Sequence, residues 1–552
     1  MPSPHPKTTD ETLKETFEAI VIALILAFIF RAYVVEAFVI PTGSMAPTLL
    51  GQHVPVRCSQ CGYRWAVDQS GRAAVDRGGL RRPCPMCAFP QEVPPNTPTR
   101  SGDRLLVQKY VYQLAEPARW DVVVFRNPQA FNDDGTPGPK TNYIKRLVGL
   151  PNEALQIVDG NVHVRPLDGT DADWTIARKT DPTANRHWEK IQRAAWQPIY
   201  HSRYVPLDHG LGLIRNDAWT CPWQPTAATA GRWDLGNPND GWNRSYRLIQ
   251  GHGGESASGE LTFRWAGYHD RGTRYPYNGT VSDRGVVRRQ PIEDVRLAAT
   301  IAPDTREAAA ELRLTTRFED TPEPVVLRLD GNGKLSLMRP QADEGRQVLA
   351  TATGVGNGSA TRLELWVVDQ EILAWVDGRL AFRHAIDLTW DQILQRPAPA
   401  DRPDVSIRVD GGPVTLHAVE LDRDWAYTPA LSSDRRNAPF GAMRRSANGK
   451  LVEPPPIRVR PGRYFVLGDN SPISSDGRFW NEADPWIQRR MLPEANDWQP
   501  QPGYPFVRDY AQVVPRGLMV GRAFFIYFPA PYAVRRGGVQ MLPNFGDMRF
   551  VH

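Results

Sequence analysis

Past about residue 35 the chain carries almost no apolar pattern of helical period. Its hydrophobic residues come in short strand-length blocks cut by glycine, proline and polar turns. That pattern commits the chain to a mainly β fold. Fifty prolines and 45 glycines in 552 residues would also suit a disordered chain, but the 17 tryptophans need cores to fill. The length calls for several domains. A net charge of +5, spread without a concentrated basic face, argues against nucleic acid as a partner.

The exception to the β pattern is the N-terminus. Residues 17–30 are apolar apart from Glu18, and Arg31 follows. The uninterrupted core, 19–30, is twelve residues, a length that also fits a buried helix or a removed signal. Extension to Val35 gives roughly twenty residues, provided Glu18 and Arg31 reach toward head groups. A removed signal would need small residues at a cleavage site, whereas Val34 to Ile40 is bulky and strand-like. The expectation is a short cytoplasmic tail at 1–15 and one uncleaved transmembrane helix at 16–35.

Strand-like blocks follow at 34–49, at Leu105 to Val107 after the Gly102-Asp103 turn, at Val122 to Phe125 and at 143–150. From 154 to about 290 the chain is Trp-rich and irregular. From 291 to 428 it alternates, with turns at Asp330-Gly331-Asn332-Gly333 and Asp377-Gly378, as in a β-sandwich. The first of these turns is oxygen-rich but lacks the bidentate Glu of an EF-hand loop, so it reads as a turn. Pro454-Pro455-Pro456 reads as a stiff linker, after which strand-like blocks return at 464–467 and 518–528. The simplest organisation is one small β domain in three parts (36–57, 101–155 and 458–552). A Cys-rich insert (58–100), an irregular insert (156–290), the sandwich (291–428) and a linker (429–457) interrupt it.

Ser44 lies in Pro41-Thr42-Gly43-Ser44-Met45, just beyond the apolar stretch, and Lys145 sits in the apolar block Tyr143 to Gly149. Serine needs a base to become a nucleophile. No G-x-S-x-G elbow is present, and the histidines fall in no motif. A neutral lysine can serve instead. Bringing its pKa from about 10.4 to the 7–8 of a working base costs roughly 3–4 kcal/mol, which desolvation can supply. A serine at a membrane surface and a lysine in an apolar strand suit peptide cleavage.

Taken in order, the serine segment, the Gly102-Asp103 strand, Asp121 to Pro128, the lysine strand and Gly468 to Arg478 resemble bacterial signal peptidase I, the serine-lysine endopeptidase family. Thr42 replaces serine in the first box, Asn152-Glu153 replace Gly-Asp after the second, and Ser471 and Gly477 depart from the third. The resemblance implies a signal-peptidase-type β domain, with Ser44 as nucleophile and Lys145 as general base. It implies that Ser474 orients the amine, that Thr42 and the Ser44 N–H bind the oxyanion, and that Asp476 and Arg478 form a supporting ion pair. Phe38, Ile40, Met45, Leu49, Tyr143 and Ile144 would line shallow pockets for small residues, or else belong to the core. It further implies no cofactor for catalysis, an inner-membrane location with the active domain outside the cytoplasm, and preproteins, lipid bilayer and export machinery as partners. The rival is an inactive, membrane-tethered binding protein on the same scaffold.

Cys58-x-x-Cys61 and Cys84-x-x-Cys87 make a paired-knuckle pattern. Four thiolates on a structural Zn²⁺ in a ribbon-like insert is the favoured expectation, with two disulfides as the alternative beyond the membrane. Cys221 is left over as a buried thiol. The sandwich resembles concanavalin-like or laminin-G-like modules, leaving sugar binding, protein contact and a structural role open.

Overall fold

The computed structural model describes residues 9–68, 80–87, 89–94, 97–131, 141–183, 187–204, 222–226, 232–234, 245–249, 258–265, 294–315, 324–341, 345–356, 359–396, 402–429, 441–446, 450–480, 482–491, 511–530, 532–534, 540–542 and 544–552. Cys221 and much of 156–290 lie outside that set. The protein is mainly β, as its patterning requires.

One eight-stranded antiparallel sheet gathers strands from the segments on either side of the inserts. Its path runs Val35–Val39, Arg104–Gln108, Met519–Phe528, Val122–Arg126, Asn142–Gly149, Arg463–Leu467 and Val514–Pro515, with Arg549–Phe550 added beside Met519–Phe528. The strands come from three distant parts of the sequence because their apolar faces share two cores. Val123, Phe125, Leu147, Tyr464 and Val466 fill one, and Leu105, Val107, Val122, Val124, Ala523 and Ile526 the other. A four-stranded sheet follows in the order Thr175–Ile176, Asn161–Pro166, Glu153–Val158 and Ile457–Val459. The stretch expected as a linker thus leads straight into a paired strand. The Pro455 carbonyl accepts from Gly441 N at 3.0 Å, and Ile457 pairs with Leu155.

The sandwich has an eight-stranded and a seven-stranded sheet around one apolar core. Strands that the sequence presents as irregular join both. Gln197–His201, Arg232–Asp234 and Tyr246–Ile249 extend one sheet; Trp223–Pro225 and Gly259–Phe263 extend the other. Trp223 and Tyr246, both fully buried, are part of the filling. At the 330–333 turn, Asp330 Oδ1 accepts from Asn332 N and Lys334 N at 3.1 and 2.9 Å. Its carboxylate caps the turn.

The N-terminal helix runs Thr9–Tyr33 and exposes its apolar side chains, including Phe17, Ile22, Leu26 and Phe28. Among the described residues no helix is long and apolar enough to cross a membrane, which corrects the expected transmembrane span at 16–35. Charge placement is the reason. Between Glu18 and Arg31 the apolar core is twelve residues, or about 18 Å of helix, against about 30 Å of hydrocarbon.

Candidate active site

The serine loop leaves the edge strand at Ile40, whose N–H still donates to Asp103 O at 2.9 Å. A Cβ on Gly102 would lie 1.8 Å from Ile40 O, so only glycine lets these backbones meet. Asp103 is buried. Its Oδ2 accepts from Leu50 N at 2.9 Å and its Oδ1 from Ala530 N at 3.1 Å, pinning the far end of the loop to the closing strand. Between these pins Ser44 is half-buried and Thr42 is exposed.

Lys145 stands opposite Val123 on the Asn142–Gly149 strand and is only 4% exposed. Its Nζ donates to Ser44 Oγ at 2.8 Å, across 101 residues of sequence, and lies 5.3 Å from the Tyr143 ring centroid. Strand alternation turns the next side chain, Arg146, to the opposite face. There its Nε and Nη2 each donate at 2.7 Å to Asp469, and both side chains are fully buried. Burial works against the guanidinium charge, but the Asp469 carboxylate and its hydrogen bonds more than offset it, so Arg146 is held charged.

The segment from Gly468 ties loop to strand. Asp469 Oδ2 accepts from Thr48 Oγ1 at 2.6 Å, Asn470 N donates to Ser44 O at 3.0 Å, and Asn470 Nδ2 donates to Gly43 O at 2.8 Å. Asp476 and Arg478 form a fully buried pair at 2.7 Å, and Asp476 also accepts from Gly468 N at 2.9 Å. Ser474 is fully buried, and its Oγ has no hydrogen-bond partner among the described residues, so the bond to the lysine amine implied by the resemblance is not made here. That hydroxyl instead crowds Gly468, where an added Cβ would lie 2.1 Å away.

The expected pocket residues divide. Phe38, Tyr143 and Ile144 are half-buried at the edge of the two cores. Ile40, Met45 and Leu49 are 3%, 0% and 0% exposed and belong to the core itself. Apolar pocket wall and apolar core look alike in sequence; only the inward turn of the loop separates them.

Sequence reasoning missed Arg146, Asp469 and Asn470 as parts of the frame. Arg146 and Asp469 stood inside quoted motifs, but a pairing across 323 residues leaves no local trace. Ser471 was noted only as a departure. Its Oγ accepts from Arg478 Nη1 at 2.6 Å and from Thr428 N at 2.7 Å.

Cys58, Cys61, Cys84 and Cys87 are buried and unbridged, and their sulfurs lie within 4.8 Å of one another. The Cys58–Cys87 and Cys61–Cys84 Sγ separations are 3.6 and 3.5 Å, well beyond the disulfide bond length of about 2.05 Å. The knuckle turns are formed: Cys61 N donates to Cys58 Sγ at 3.5 Å and Met86 N to Cys84 Sγ at 3.4 Å. Four cysteines so placed can bind a metal ion.

The family model described as "Signal peptidase, peptidase S26" matches residues 13–64 and 93–209, the segments that carry Ser44 and Lys145. The signal peptidase I of Rickettsia massiliae (strain Mtu5) is 22% identical over 211 residues, covering 36% of this chain and 65% of that protein. That of Leptolyngbya laminosa is 27% identical over 169 residues, covering 30% and 58%. The chain therefore spans about 65% of the length of the first of these relatives. Among solved structures, a carbohydrate-binding module from Bacillus subtilis covers 36% of this chain and 95% of its own, with 9% identity and a TM-score of 0.23. The sequence matches support kinship with the signal peptidases at the level of the peptidase family.

Proposed function

We propose that the chain is a serine endopeptidase that removes N-terminal signal peptides from exported preproteins through a Ser44–Lys145 dyad. The carrying observation is the 2.8 Å contact between Lys145 Nζ and Ser44 Oγ. With the amine neutral, Lys145 takes the Ser44 proton as Oγ attacks the scissile carbonyl. The Ser44 N–H and the Thr42 hydroxyl are assigned to the oxyanion. Lys145 then returns the proton to the departing amine, leaving an acyl-serine. Next it takes a proton from water, which attacks the acyl carbon, and passes that proton to Ser44 Oγ as the acyl C–O bond breaks. Ser474, with its buried and unpartnered hydroxyl, is assigned to orient the amine. The dyad needs no cofactor.

The exposed apolar helix is read as a membrane attachment through its apolar side chains. Enzyme and preprotein then share one surface, which raises their effective concentration. A Zn²⁺ is proposed for the four cysteines. Tetrahedral Zn–S bonds of about 2.3 Å set sulfurs about 3.8 Å apart, close to the separations given above. Its role would be to staple the insert.

Detergent-solubilised chain is incubated with a preprotein whose signal ends in Ala-x-Ala. Wild type cleaves after the second Ala, whereas Ser44→Ala and Lys145→Ala do not. Processing that survives Ser44→Ala removes the dyad reading and leaves the binding-protein rival.

A further inference from the structure

The sandwich does not hang from the catalytic body by a loose linker. Its last strand, Val414–Arg423, runs on through Asp424 to Thr428 and crosses directly behind the lysine strand. Asp424 receives Lys179 Nζ at 2.8 Å, and the same amine reaches Asp369 at 2.6 Å. The Trp425 ring, 2% exposed, lies 4.5 Å from the Arg146 guanidinium carbon. Tyr427 N donates to Gly160 O at 3.1 Å, and Thr428 is held on both sides, its N–H by Ser471 Oγ and its carbonyl by Arg478 Nη1 at 2.5 Å. Arg146 and Asp469 in turn hold Thr48, four residues beyond Ser44. One unbroken series of contacts therefore leads from the sandwich exit to the nucleophile loop.

We infer that Trp425 and Ser471 are positioning residues, through which the arm leaving the sandwich fixes the frame that sets the Ser44–Lys145 separation. The inference rests on the dyad reading. Neither residue touches the reacting atoms. The Arg146 guanidinium carbon lies over the Trp425 ring, which limits how far the group can swing away from its two bonds to Asp469. Ser471 offers a fully buried hydroxyl that accepts from both Thr428 N and Arg478 Nη1, joining the arm to the Asp476–Arg478 pair. The sandwich is then a part of the catalytic frame, whatever else it binds.

The test compares wild type with Trp425→Ala, Trp425→Phe and Ser471→Ala in preprotein cleavage at several pH values, with circular dichroism on each. Val348→Ala, on an exposed site of the sandwich, serves as control. A misplacement of about 1 Å costs on the order of 100-fold in rate. Trp425→Ala is therefore expected to lose about 10- to 100-fold in kcat with KM within about twofold. Trp425→Phe should recover most of the loss, Ser471→Ala should lose at least about fivefold, and Val348→Ala should match wild type. The acid limb of the kcat profile should move in Trp425→Ala, which a merely structural loss of folded protein would not cause. Wild-type kcat and pH profile in folded Trp425→Ala and Ser471→Ala overturn the inference while leaving the dyad intact. If Trp425→Ala fails to fold, Ser471→Ala decides. An active Ser44→Ala would instead remove the dyad itself.

Discussion

Asp469→Asn is the most informative single change away from the dyad. The substitution keeps shape and removes charge, so no cavity complicates the result. It strikes a carboxylate that receives Arg146 twice at 2.7 Å and Thr48 once at 2.6 Å, in a place where both ionic partners are fully buried. Removing one partner of a buried pair leaves the other charge unpaired, at a cost of about 3–5 kcal/mol. An amide oxygen in the Oδ2 position can still accept two of the three bonds, so the lower end, about 3 kcal/mol, is expected. The Trp120 and His552 carbonyls still receive Arg146, at 2.7 and 3.1 Å, and limit the loss further. The assay is guanidinium unfolding of the solubilised chain followed by tryptophan fluorescence, run as a double-mutant cycle with Arg146→Met. The double variant should be more stable than the two single losses sum to, by about 2 kcal/mol, because the second change removes the unpaired charge. A loss below about 1 kcal/mol in Asp469→Asn, together with additive behaviour in the cycle, refutes the argument that this pair holds loop to strand.

Other expectations are as direct. Gly468→Ala puts a Cβ 2.1 Å from Ser474 Oγ and 2.5 Å from Ser44 O, so preprotein cleavage should fall by about tenfold or more while the sandwich stays folded. His163 is fully buried, and burial, aided by Arg396, lowers its pKa to about 3. A depressed pKa gives stability that is present above about 6.5 and lost as pH falls toward 3. At about 1.36 kcal/mol per pH unit, wild type should lose about 2 kcal/mol between pH 7 and pH 5 that His163→Gln does not lose, as read from unfolding midpoints at both pH values. Cys58→Ser should abolish about one equivalent of zinc per chain in elemental analysis. Wild-type protein that carries no metal would remove the zinc assignment.

The β character, the Ser44 loop, the Lys145 strand and the paired cysteines were legible because each rests on local patterning: short apolar blocks between turn residues, a serine after a proline break, and cysteines two residues apart. The sheet strands at Trp223–Pro225 and Gly259–Phe263 were not. A three- to five-residue strand has too little periodicity to read, and only pairing makes it a strand: Trp223–Pro225 lies against Gly259–Phe263, which lies against Val405–Asp410. Met45 and Leu49 were ambiguous for a related reason: hydrophobicity says that a side chain leaves water, not which apolar surface receives it.

Sequence alone therefore determined the chemistry on offer, since a hydroxyl, an amine and four thiols are properties of residues. Only the tertiary structure decided the 2.8 Å between Lys145 and Ser44, the burial of Arg146 with Asp469 and the passage of Trp425 behind the lysine strand. Each joins residues more than one hundred positions apart. Such contacts form when distant segments bury their apolar faces together, and no local preference encodes where they meet.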